Sequence, residues 1–117
     1  MKLGFIGAGN MAQGIIDGLL KAKTFAPADI VIHGGHPANY EAYAQKSGVQ
    51  TVDSNTAVIE SSDVVVLAVK PVMAQDVIEE INPALQAKTT PLLSLLSGVS
   101  LLQIEGFLGT KDYQLIA

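Results

Sequence analysis

Short runs of aliphatic, largely β-branched residues alternate along this chain with longer stretches in which apolar side chains recur at helical spacing. The runs are Leu3 to Ile6, Ile30 to His33, a weak Gln50 to Val52, Val64 to Val69, Leu92 to Leu95 and a final Tyr113 to Ile116. Between them, Met11 to Ala22 sets Ile15, Ile16, Leu19 and Leu20 on one face, as an amphipathic helix requires. Ala38 to Lys46 and Asn55 to Glu60 predict two short helices. Pro71 suits a first turn and opens a further helix, in which Val72, Met73, Val77, Ile78 and Ile81 approximate the three-to-four spacing and which Pro83 stops. Ser100 caps a last helix through Leu101, Leu102, Ile104 and Leu108, ended by Gly109.

Strand and helix in alternation are the signature of a parallel sheet with crossover helices. Six strands joined in this way predict an α/β fold of the Rossmann type, a doubly wound parallel sheet with the strand order 3-2-1-4-5-6. Residues 1–117 then form one dinucleotide-binding domain. A dehydrogenase of this architecture normally continues into a second domain, so the chain reads as a partial one.

Composition narrows the class. Hydrophobic residues make up 49% of the chain, which raises the question of a membrane segment. The longest purely aliphatic run, Val64 to Val69, is closed by Lys70, far short of the roughly 20 residues a spanning helix needs. Lys2 followed by Leu3 to Gly9 has the look of a secretory signal, but Asn10, Gln13 and Asp17 interrupt it too early. A cytoplasmic location is the resulting expectation. The absence of cysteine excludes disulfides and zinc-thiolate sites. A net charge of −4 argues against a nucleic-acid partner. Every basic residue is a lysine, so any phosphate must be held by backbone amides, hydroxyls, His or Lys rather than by a guanidinium fork.

The strongest chemical signal is Gly7-Ala8-Gly9-Asn10-Met11-Ala12, placed after a strand and leading straight into a helix. Gly7 permits the tight turn, Gly9 removes a side chain where a pyrophosphate approaches the backbone, and Ala12 allows close packing of helix on strand. At the end of the second strand, Ile32-His33-Gly34-Gly35-His36 lacks the acid that an NAD-preferring site sets against the ribose hydroxyls. NADP is therefore favoured over NAD, with Gly34 and Gly35 offering amides and His33 or His36 a donor. Either histidine also fits a plain structural place, His36 in an exposed loop and His33 packed against the helix. Asn55 caps a helix, contacts the cofactor, or does both. Lys70, after the fourth strand, is either a solvated strand exit or a contact to the nicotinamide side. Ser97 and Gly98 either line the nicotinamide pocket or form an ordinary turn. Asp76, Glu79 and Glu80 fall on a helix that reads as solvated, and no catalytic triad, paired-carboxylate site or metal-ligand cluster emerges.

Together these residues resemble the amino-terminal domain of the pyrroline-5-carboxylate reductases. The blocks that carry the resemblance are Gly4 to Ala12, then Asp63-Val64-Val65 running into Leu67-Ala68-Val69-Lys70-Pro71, then Ser97-Gly98-Val99-Ser100-Leu101 followed by Ile104-Glu105 and Leu108-Gly109. The resemblance implies that Ile6, Gly7, Ala8, Gly9, Asn10 and Met11 bind the dinucleotide phosphates, Asn55 the adenosine side, and Ala68, Val69, Lys70 and Pro71 the nicotinamide side. It implies reduction of 1-pyrroline-5-carboxylate to proline by hydride from NADPH or NADH. It further implies a helical domain after residue 117, absent from this chain, that pairs subunits into an oligomer and holds much of the substrate. Departures from the pattern are Gly34 and Gly35, where members often carry hydroxyl, Asn or Arg groups, and Leu95-Leu96 before Ser97. Alternatives are a reductase of the β-hydroxyacid dehydrogenase type, against which Val69-Lys70-Pro71 speaks, and a dinucleotide-sensing module without chemistry.

Overall fold

The computed structural model describes residues 1–34, 37–88 and 90–94, and the backbone of 115–116. Six parallel strands form one sheet: β1 (Leu3–Ile6), β2 (Ile30–His33), β3 (Gln50–Thr51), β4 (Val64–Leu67), β5 (Leu92–Ser94) and β6 (Leu115–Ile116), in the order β3-β2-β1-β4-β5-β6. This is the predicted doubly wound topology. The central register sets Ile6 beside His33 on one side and Leu67 on the other, so the carboxyl ends of β1, β2 and β4 lie level.

Among the described residues, two α-helices cover each face. On one, α1 (Asn10–Lys21) and α2 (Pro37–Ser47) bring Ala12, Ile16, Tyr40 and Tyr43 against Leu3, Phe5, Ile30, Ile32 and Val66. On the other, α3 (Asn55–Ser61) and α4 (Ala74–Lys88) bring Val58, Ile59, Val77, Ile78, Ile81 and Leu85 against Ile6, Val31, Val65, Leu67 and Leu92. Strand residues thus alternate between the two cores, as a pleated strand requires. Each isoleucine or leucine fully buried in this way contributes about 1.5–3 kcal/mol relative to exposure. On α1, Ile16 is buried and Ile15, Leu19 and Leu20 pack beside it, as the spacing predicts.

Gly4 belongs to this packing. A methyl group on it would lie 2.6 Å from Val58 Cγ1, so α3 crosses β1 closely only because this strand position has no side chain. Lys88 then ties α4 to α3, its Nζ donating to the backbone carbonyls of Ile59, Glu60 and Ser62 at 2.6–3.1 Å.

Three expectations need correction. Pro83 does not stop the helix: α4 runs through it to Lys88. Proline removes one amide donor and strains the preceding turn, but ending there would expose Leu85, which is fully buried, and release the Lys88 anchor. Pro71 opens not the α-helix itself but a 3-10 turn, Pro71–Met73, so Val72 and Met73 point away from the core and are exposed. β4 ends at Leu67, two residues before the aliphatic run does, because the chain turns out of the sheet after the Ala68 amide bonds to Ile6. The helix from Ser100 to Leu108, together with Leu95, Tyr113 and Gln114, lies outside the described residues.

Candidate functional site

The site lies where the carboxyl ends of β1, β2 and β4 meet the amino end of α1. Two backbone bonds hold the turn after β1 in place: the Gly7 amide donates to the His33 carbonyl and the Ala68 amide to the Ile6 carbonyl, both at 2.8 Å. The space between them is tight. Gly7 has φ +101°, and a Cβ there would meet the Ala68 carbonyl oxygen at 2.5 Å; Gly34 has φ +144°, and a Cβ there would meet Gly7 N and Cα at 2.7 Å. Both positions require glycine for the fold itself.

Gly9 is different. Its backbone is extended, at φ −79° and ψ −170°, a conformation open to any residue, and nothing lies within 4 Å of a Cβ built on it. Packing therefore does not demand glycine at this position. It is also the residue before α1, where no side chain caps the helix, so the first-turn amides lack a side-chain cap and have the positive end of the helix dipole behind them. A phosphate group fits both observations: anions bind at such helix starts, and the missing side chain leaves room for one. Ala8 and Ile6 are buried, whereas Asn10 and Met11 are exposed on the open side of the turn. Gln13 braces the turn from within, its Nε2 donating to the Ala8 carbonyl at 2.9 Å.

At the β2 end, His33 is half-buried, its ring tilted against that of Tyr40 with centroids 5.2 Å apart. Packing against a helix is one of the two places the sequence leaves open for it. Its Nδ1 lies 2.7 Å from Asn55 Oδ1, and Asn55 Nδ2 donates to Glu80 Oε1 at 2.8 Å. Asn55 does not cap α3. Ser54 does, its Oγ accepting from the Ala57 amide at 3.0 Å, because the hydroxyl one residue earlier stands at the extended position that a cap requires. The Asn55 amide is thereby free to face His33 at the site edge. Glu80, expected only on a solvated helix face, is the partner that sequence reasoning missed.

At the β4 end, Ala68 and Val69 are partly buried while Lys70 and Pro71 are exposed. The Lys70 side chain has no hydrogen-bond partner among the described residues, and its carbonyl accepts from the Met73 amide at 2.9 Å. The structure thus brings Ile6 to Met11, Gly34, Asn55 and Ala68 to Pro71 to the same edge of the sheet. Gly35, His36, Ser97 and Gly98 lie outside the described residues. Among the described residues no His, Asp and Glu side chains cluster as metal ligands would, and no helix is long and apolar enough to cross a membrane.

Comparison with known proteins agrees with this geometry. The family model described as NADP oxidoreductase, coenzyme F420-dependent, matches residues 2–98. A pyrroline-5-carboxylate reductase of Pisum sativum is 34% identical over 111 residues, covering 95% of this chain and 40% of that protein. Among solved structures, a pyrroline-5-carboxylate reductase of Coxiella burnetii superposes with a TM-score of 0.84 at 36% identity, over 92% of this chain and 40% of that one. The NADP-bound pyrroline carboxylate reductase of Plasmodium falciparum shares the fold, with a TM-score of 0.83 at 24% identity, over 98% of this chain and 40% of that one. The chain spans about 40% of the length of the curated relatives it matches.

Proposed function

Because the chain belongs to the NADP oxidoreductase, coenzyme F420-dependent family, we propose that it is the coenzyme-binding part of a pyrroline-5-carboxylate reductase and takes NADPH in preference to NADH. The observation that carries this reading is the Gly9 position, where neither backbone conformation nor packing among the described residues demands glycine and the missing side chain leaves room for a phosphate at the start of α1. The pyrophosphate lies on the amides from Gly7 to Met11. Asn55 offers its second amide N–H to the adenosine ribose. Ala68, Val69, Lys70 and Pro71 border the nicotinamide. Preference for NADPH follows from β2, which ends in His33 and Gly34 rather than in an acid that would repel a 2′-phosphate.

The reaction is hydride transfer from the reduced nicotinamide to the imine carbon of 1-pyrroline-5-carboxylate, with a proton going to the imine nitrogen. When bound, the coenzyme supplies the hydride, and the residues of this chain hold and orient it. Positioning of the two reactants within about 3–3.5 Å is a large part of the rate enhancement in such a step. With no arginine in the chain, the substrate carboxylate and the proton donor are assigned to the portion of the relatives that this chain does not span. That portion would be a helical domain that also pairs subunits. The experiment is calorimetric titration with NADPH and NADH, followed by an assay of NADPH absorbance with 1-pyrroline-5-carboxylate. Binding of NADPH at least as tight as NADH, with negligible turnover by residues 1–117 alone, is expected. A preference for NADH on the order of tenfold, about 1.4 kcal/mol, overturns the coenzyme assignment, and rapid turnover overturns the assignment of the substrate groups.

A further inference from the structure

Three side chains from three elements form a chain at the ribose end of the site: Glu80 on α4, Asn55 at the start of α3 and His33 at the end of β2. The hydrogen-bond chemistry of its two ends fixes its direction. A carboxylate only accepts, so Asn55 turns its NH₂ toward Glu80 Oε1 at 2.8 Å, and its Oδ1 is left facing the imidazole at 2.7 Å. That oxygen in turn only accepts, so the proton shared with it belongs to His33 Nδ1. Tyr40 packs against the ring from α2, and the Gly7 amide of the turn after β1 donates to the His33 carbonyl. Nε2 has no hydrogen-bond partner among the described residues.

We infer that Glu80, acting through Asn55, fixes the ring of His33 with its proton on Nδ1 and its Nε2 toward the coenzyme ribose, making His33 the residue that reads the 2′ position. This deepens the coenzyme reading given above and rests on it. In the neutral ring, Nε2 is an acceptor for a ribose 2′-hydroxyl, the role that an acid plays at the end of β2 in NAD sites. In the protonated ring the same nitrogen donates to a 2′-phosphate, while Nδ1 keeps its bond to Asn55. One side chain therefore serves both coenzymes. Glu80 is a positioning residue, since it reaches the coenzyme only through the other two.

Two measurements on the 117-residue chain test this. Long-range ¹⁵N–¹H correlation reads the tautomer of each imidazole, and the spectrum of His33→Ala identifies which of the two histidines gives which signals. The neutral His33 ring is expected to carry its proton on Nδ1 in the native chain and to become a mixture in Glu80→Gln, where a carboxamide can donate as well as accept and Asn55 is free to flip. A native ring protonated on Nε2 overturns the inference. Calorimetry then compares NADPH and NADH. His33→Ala is expected to weaken NADPH roughly tenfold, as loss of a charge-assisted bond does, and NADH by less. Glu80→Gln, an exposed substitution that leaves the core untouched, is expected to change the NADPH-to-NADH affinity ratio by a smaller factor, because Nε2 is no longer held in one form. If the native chain binds both coenzymes and neither variant moves the ratio, the inference is wrong while the coenzyme site stands. If the native chain binds neither, the site reading itself fails and takes the inference with it.

Discussion

The amide of Gly7 donates to the carbonyl of His33 at 2.8 Å, which ties the turn after β1 to the end of β2. Gly34, the next residue, sits at φ +144° with Gly7 N and Cα 2.7 Å from where its Cβ would be. Gly34→Ala is therefore expected to force the two strand ends apart. Backbone strain of this kind costs on the order of 1–3 kcal/mol, and a thermal melt should show a clearly lowered midpoint. An unchanged midpoint would mean that the turn relaxes without cost.

Pro83 leads to the opposite expectation. It stands inside α4, where its ring removes the amide that would bond to the Glu79 carbonyl. Pro83→Ala is expected to raise stability, by up to about 3 kcal/mol from helix propensity, less several tenths returned through the more flexible unfolded chain. Denaturant unfolding reads the change. A loss of stability would show that the proline ring itself packs favourably.

Tyr43 on α2 donates its hydroxyl to Asp17 on α1 at 2.5 Å. Burial, then this bond and the negative charge of Asp17, hold the phenol well above its ordinary range. Because the folded-state value is raised, the stability involved is present in full below the ordinary tyrosine value of about 10 and is lost as pH rises above it. Tyr43→Phe is expected to cost about 1 kcal/mol at neutral pH, Asp17 being exposed and well solvated. The gap in melting temperature between native chain and variant should narrow above pH 10. A gap independent of pH would mean that folding does not raise the phenol above its ordinary range.

Much of this architecture is legible in the sequence because it is local. β1 and β2 follow directly from their aliphatic runs, and the helix after Gly9 from the spacing of Ile15, Ile16, Leu19 and Leu20. What the sequence hides is long-range. His33 and Asn55 are 22 positions apart and Asn55 and Glu80 are 25 apart, and no periodicity couples them. Glu80 has the look of any charge on a solvated helix face until the crossover of β3 to β4 brings α3 against α4. The same holds for Gly4, an unremarked strand residue until Val58 is seen to lie over it. Pro83 misleads for a related reason: local propensity ends the helix there, and the burial of Leu85 beyond it prevails.

The claim that the turn after β1 holds the coenzyme phosphates is tested most directly at Gly9, where a Cβ would meet no atom of the described residues within 4 Å. The measurement is calorimetric titration of NADPH into the native chain and into Gly9→Val, with circular dichroism and a thermal melt on both. Unlike Gly34→Ala, this variant is expected to keep its fold and most of its melting temperature, and to lose measurable NADPH binding, because the branched side chain fills the space that the pyrophosphate needs. Native-like affinity in a folded Gly9→Val chain would contradict the account and place the phosphates elsewhere.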